Sequence, residues 1–110
     1  MKSLLLAAIL ILALTAPNQA AKNPDGVAVI IGNKTYQGDI PAVDYAHNDA
    51  DAIRQYVLDV LGYDPENVID LRDASKAEME AAFGNDKNPK GRLWQYLDPK
   101  GGSDVLVYYS

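Results

Sequence analysis

Beyond residue 22 the chain alternates between unbroken apolar runs and stripes repeating every three or four residues. Val27-Ala28-Val29-Ile30-Ile31 is continuous, rich in β-branched residues and bounded by Gly26 and Gly32. A run without polar alternation predicts a strand buried on both faces, as in the middle of a parallel sheet. Residues 34–43 hold Tyr36, Gly38 and Pro41 with no periodicity and read as a loop. From Asp44 to Leu61 the pattern is helical, with Ala46, Ala50, Ile53, Val57, Val60 and Leu61 on one stripe. Asp44 or Asn48 is placed to cap this helix, and Asp49 and Asp51 suit the positive end of its dipole. Gly62 and Pro65 stop it.

Val68 to Leu71 is a short second strand. Ser75-Lys76-Ala77-Glu78 has the spacing of a capping box and opens a helix to Phe83, with Gly84 as its stop. A polar loop over 84–91 leads to one or two helical turns over Arg92–Leu97, with Leu93, Trp94 and Leu97 available to pack. After the turn Pro99-Lys100-Gly101-Gly102, Val105 to Tyr109 forms a third apolar strand. Successive strands start roughly 40 residues apart, which requires crossover connections and a parallel sheet. The fold class is therefore α/β, the three-stranded start of a doubly wound sheet.

Three strands and two or three helices leave a wide apolar sheet face uncovered. The third strand also reaches Ser110 on the carboxyl edge, where open parallel sheets bind ligands. The expectation is thus part of a domain, over residues 21–110. Residues 1–20 read as an address instead of fold. Lys2 precedes the apolar run Leu4–Leu14, and Pro17 and the small residues Ala20 and Ala21 follow it. Eleven helical residues rise about 16 Å, roughly half the hydrocarbon thickness, so a secretory signal fits better than a spanning helix. The expected location is periplasmic or extracellular, with no stable membrane span after cleavage.

Charge and composition narrow the partners. The 110 residues carry a net charge of −5, with 48% hydrophobic and 23% charged residues. An acidic chain with no basic patch argues against a nucleic-acid partner. The complete absence of Cys excludes a disulfide framework, a Cys-ligated zinc and a thiol nucleophile within these residues.

Chemistry-bearing residues are few. His47, the only histidine, has no Cys partner for a dyad and reads as a solvent-facing residue at the helix start. Pairing it with Asp44 and Asp51 as metal ligands lacks anything that enforces convergence. Ser75 and Ser103 read as caps. Asp49 admits two readings: dipole compensation in the first helical turn, or a carboxylate at the sheet edge ready to bind a cationic side chain. Gly32-Asn33 lacks the rest of any phosphate-loop pattern.

Four segments, in this order and spacing, resemble caspase-like cysteine peptidases, in particular the metacaspase and bacterial caspase-like branch. They are Val27–Asn33 with Tyr36, Asn48-Asp49-Ala50 opening a helix that ends Leu61-Gly62-Tyr63, Asp73 to Met79, and Ser103 to Ser110. The resemblance implies a three-layer α/β/α sandwich with a mainly parallel sheet, of which the first three strands are present. It implies a Cys-His endopeptidase acting on protein or peptide substrates. In that family the strand matching Val105–Tyr109 runs into Ser-Gly-His-Gly, and the nucleophilic Cys follows a later strand. Both dyad residues would then lie past Ser110, and His47 does not match the catalytic His. The resemblance further implies an S1 pocket that includes Asp49 and Ser110 and takes Arg or Lys. Where metacaspases often carry a Cys three residues before that Asp, this chain has Ala46. No cofactor is implied; some relatives need calcium, and nothing in the sequence identifies a calcium site. Alternatives are a non-catalytic caspase-like binding or regulatory domain and an unrelated periplasmic α/β binding domain.

Overall fold

A computed structural model describes residues 23–36 and 38–110. The expected signal segment lies outside the described residues. Three strands, β1 (Val27–Gly32), β2 (Val68–Arg72) and β3 (Val105–Tyr109), form one parallel sheet in the order β2-β1-β3. Helix α1 (Ala46–Asp59) covers one face, and α2 (Lys76–Phe83) with the short α3 (Arg92–Tyr96) covers the other. The result is the expected α/β/α layering.

β1 sits in the centre, and every one of its six residues is buried. Its even-numbered side chains, Ala28 and Ile30, pack under α1 against Ala50, Val57 and Tyr63. Val29 and Ile31 point the other way, onto Ile69, Leu71 and Ala82. Period-two side-chain alternation divides one apolar run between two cores. Burying each such aliphatic side chain contributes about 1.5–3 kcal/mol.

β3 departs from the expected two-sided burial. Leu106 and Tyr108 pack under α1, but Val105, Val107 and Tyr109 remain 47%, 54% and 57% exposed. The α2–α3 layer covers β1 and β2 and stops short of β3, and Trp94 is likewise exposed instead of packed. The uncovered apolar face anticipated from the sequence lies here.

The helix ends follow local chemistry with three exceptions. At α2 both capping-box bonds form between Ser75 and Glu78, and Gly84 closes the helix at φ 94°. Gly62, at φ 71°, follows the last turn of α1 as expected. At the start of α1 neither Asp44 nor Asn48 caps; Tyr45 holds the position without a side-chain bond. The Ala46 amide instead donates to the Val43 carbonyl (3.2 Å), while the Val43 amide donates to Lys34 O (2.8 Å), so a backbone turn sets the helix entry. Val60 lies past the last helical residue and is exposed, off the expected stripe. Ser103 is not a helix cap: its Oγ accepts from the Asp98 amide at 2.8 Å and closes a turn.

Candidate functional site

Apart from Asn23–Asp104 and Asn67–Pro24 at the amino edge, the polar side chains with long-range partners gather at the carboxyl edge of the sheet, where β1, β2 and β3 all end. Gly32 permits this gathering. A Cβ there would stand 2.8 Å from Ala50 Cβ and 2.9 Å from Ala46 O, so its absence lets the first turns of α1 rest on the strand end.

Just beyond Gly32, two side chains staple the β1 and β2 exits to each other. Asn33, a buried polar residue, accepts from the Ala74 amide through Oδ1 at 3.0 Å. Asp73 reciprocates: its Oδ1 accepts from the amides of Lys34 (2.7 Å) and Thr35 (2.9 Å). The Asp73 amide donates to Gly32 O at 3.0 Å. Asp73 adopts φ 49°, a left-handed conformation that Asp tolerates better than most residues. Its carboxyl is held below the usual range chiefly by the Thr35 amide, with the Lys34 amide and His47 assisting against partial desolvation.

His47 is not the free, solvent-facing residue expected. Its Nε2 lies 3.1 Å from Asp73 Oδ1 and is shielded from water, within ion-pair reach but without a well-aligned hydrogen bond. Nor do Asp44, His47 and Asp51 converge as metal ligands. Asp51 meets Arg72 at 2.8 Å, whereas His47 turns to Asp73. Arg72 also binds Asp70 through Nε (2.7 Å) and donates to His47 O at 3.2 Å, and Arg54 approaches Asp70 at 3.5 Å. One flank of α1, carrying His47, Asp51 and Arg54, is thereby fixed to β2.

On a helix of 3.6 residues per turn, Asp49 falls on the opposite flank, with the sheet-facing Ala46, Ala50 and Val57 between them. Since β1 lies between β2 and β3, that flank is the one toward β3. Asp49 is exposed, and its carboxylate has no ion-pair or hydrogen-bond partner among the described residues.

Ser110 is anchored through its backbone. Its amide donates to Ile31 O (2.9 Å), and its carbonyl accepts from the Asn33 amide (2.8 Å). Beside it the Tyr36 and Tyr109 hydroxyls lie 3.4 Å apart. The Tyr36 hydroxyl and the Asn33 side chain draw the Tyr109 phenol below its ordinary range, while the same tyrosine contact raises Tyr36. An open cavity of about 420 Å³, lined by Asn33, Tyr36, Asp73 and Ser75 among others, occupies this edge. A larger cavity under Trp94, Leu97 and Pro99 lies before β3 and does not reach it.

The sequence profile of the caspase domain matches residues 25–90, more than half of the chain. The chain belongs to the caspase domain family. The matched span runs from β1 through α2 and includes Asp49, Asp73 and the Asn33 staple. No curated protein and no solved structure matches the chain significantly. Membership of this peptidase family brings protein substrates with it, and the parallel sheet matches the first strands of the caspase-like fold. None of the described helices is long and apolar enough to cross a membrane.

Asp73 and Asn33 escaped identification as site residues from the sequence. Their partners stand roughly 40 positions away, beyond the reach of local pattern rules. The available signal was a short polar residue two positions past the end of each of two predicted strands, where chain exits meet.

Proposed function

We propose that these residues form the N-terminal part of a caspase-like cysteine endopeptidase whose Cys-His dyad lies outside them and which cleaves after Arg or Lys. The carrying observation is the placement of Asp49. It is an exposed carboxylate with no partner among the described residues, on the flank of α1 turned toward β3. An acidic group of that kind suits a guanidinium or ammonium side chain of a substrate. Ser110 forms the facing wall in this reading, held by its backbone bonds to Ile31 and Asn33. The dyad works as in other cysteine peptidases: His takes the thiol proton, the thiolate attacks the scissile carbonyl, and backbone amides stabilise the oxyanion. The 110 residues hold no Cys, and His47 is engaged by Asp73, so this stretch alone is inactive. The charged-then-apolar pattern of residues 1–20 supports export to the periplasm or exterior.

The test is hydrolysis of fluorogenic peptides ending in Arg, Lys, Asp or Leu by the intact protein. Cleavage of the Arg and Lys peptides is expected, with Asp49→Asn lowering kcat/KM for both by about tenfold or more. Cleavage after Asp, or insensitivity to Asp49→Asn, sinks the specificity reading. Binding of peptides without hydrolysis marks a non-catalytic caspase-like domain instead. N-terminal sequencing of the mature protein, with a start after Ala20 or Ala21 expected, tests export.

A further inference from the structure

Asp73 has no part in the proposed chemistry, yet it joins three segments. Its carboxylate holds the amides of Lys34 and Thr35 in the loop after β1 and faces His47 Nε2 in the first turn of α1. Its own amide is tied to Gly32 O. The loop it grips begins at Asn33, whose amide holds the Ser110 carbonyl. A continuous path therefore runs from α1, which carries Asp49, through His47, Asp73 and residues 33–35, to Ser110. The left-handed backbone of Asp73 aims its carboxylate at these partners, a conformation its short hydrogen-bonding side chain tolerates.

We propose that Asp73 is a positioning residue for substrate recognition: through His47 and the loop over 33–35 it fixes the separation of Asp49 and Ser110. This rests on the reading of Asp49 and Ser110 as the pocket for a basic side chain. Asp73 does not touch substrate. It acts on the two walls in different ways, by charge toward His47 and by accepting backbone hydrogen bonds toward the loop. Asp73→Asn separates these, since an amide oxygen still accepts from Lys34 and Thr35 but carries no charge to face the imidazole. Asp73→Ala removes both.

The experiment measures binding of N-acetyl-Arg-amide to the intact protein by calorimetry, which needs no working dyad. The thermal midpoint of every variant is recorded alongside. Asp73→Asn is expected to weaken binding roughly 2- to 30-fold while the protein stays folded, the range for coupling through packed hydrogen-bonded networks. Asp73→Ala weakens it at least as much, and Asp73→Asn decides the matter if the alanine variant does not fold. Adding Asp73→Asn to Asp49→Asn should produce no further loss, because the charge being positioned is already gone. A merely structural role for Asp73 would predict an additional loss in that background. If Asp49→Asn weakens binding measurably but folded Asp73→Asn binds like the wild type, this inference is overturned and the pocket survives. If Asp49→Asn leaves binding unchanged, or the wild type does not bind the probe, the pocket reading fails and this inference falls with it.

Discussion

The guanidinium of Arg72, at the end of β2, lies 2.8 Å from the carboxylate of Asp51 on α1. With Asp70 on its other side and the His47 carbonyl above, Arg72 locks the helix rotation that turns Asp49 toward β3. Arg72→Ala should destabilise the protein by about 1–2 kcal/mol, after the exposed Asp51 arm is discounted for solvent screening. Asp51→Asn alone should cost less than about 1 kcal/mol. Urea unfolding of the two variants checks the ranking.

Asp73 gives acid sensitivity of a defined sign. Its folded carboxyl is depressed relative to the unfolded chain, so its contribution is fully present above the ordinary Asp range and fades as pH falls through the lower, folded value. The difference in urea midpoint between wild type and Asp73→Asn should shrink as the pH falls below about 4, where the carboxylate is protonated. A difference that grows below about pH 4 would contradict the hydrogen-bonded carboxylate described above.

Between the two phenols the prediction concerns titration. Tyr36 is the largest influence lowering Tyr109, so Tyr36→Phe should move Tyr109 upward. Ultraviolet difference titration of the variant, compared with Tyr109→Phe to identify the transition, measures this. No upward movement would mean that the hydroxyls do not interact in solution.

Gly32→Ala tests how closely α1 rests on the strand end. The added methyl meets Ala50 Cβ and the Ala46 carbonyl, neither a flexible side-chain tip, so the helix must lift. A loss of about 1–3 kcal/mol is expected by chemical denaturation. Ser75→Ala, which removes the capping box, should cost about 1 kcal/mol and leave the carboxyl edge intact.

What the sequence revealed and what it concealed divide along a physical line. The three strands, the Ser75–Glu78 box and the stops at Gly62 and Gly84 are local events, decided by residues within four positions of each other. The two-sided burial of β1 was legible because all its residues are apolar. β3 looks the same in sequence, but its exposure is set by how far the α2–α3 layer extends, which its own residues do not encode. His47 looked idle because Asp73, its partner, arrives from another strand end. Asp49 was placed in the first turn of α1 correctly. The flank it faces became clear only once Arg72 fixed the rotation of the helix.

The central position of β1 also governs how the chain assembles during synthesis. Val27–Gly32 leaves the ribosome first, but its partners β2 and β3 follow roughly 40 and roughly 80 residues later. Until then its five consecutive apolar residues have no edge to pair with, and β-branched segments of this kind readily associate between chains. The flanking glycines do little to guard it, and the nearest charges, Asp25 and Lys34, bracket it closely on both sides. These two residues are placed as gatekeepers, so replacing both with apolar side chains should lower soluble yield more than it lowers the stability of the folded protein.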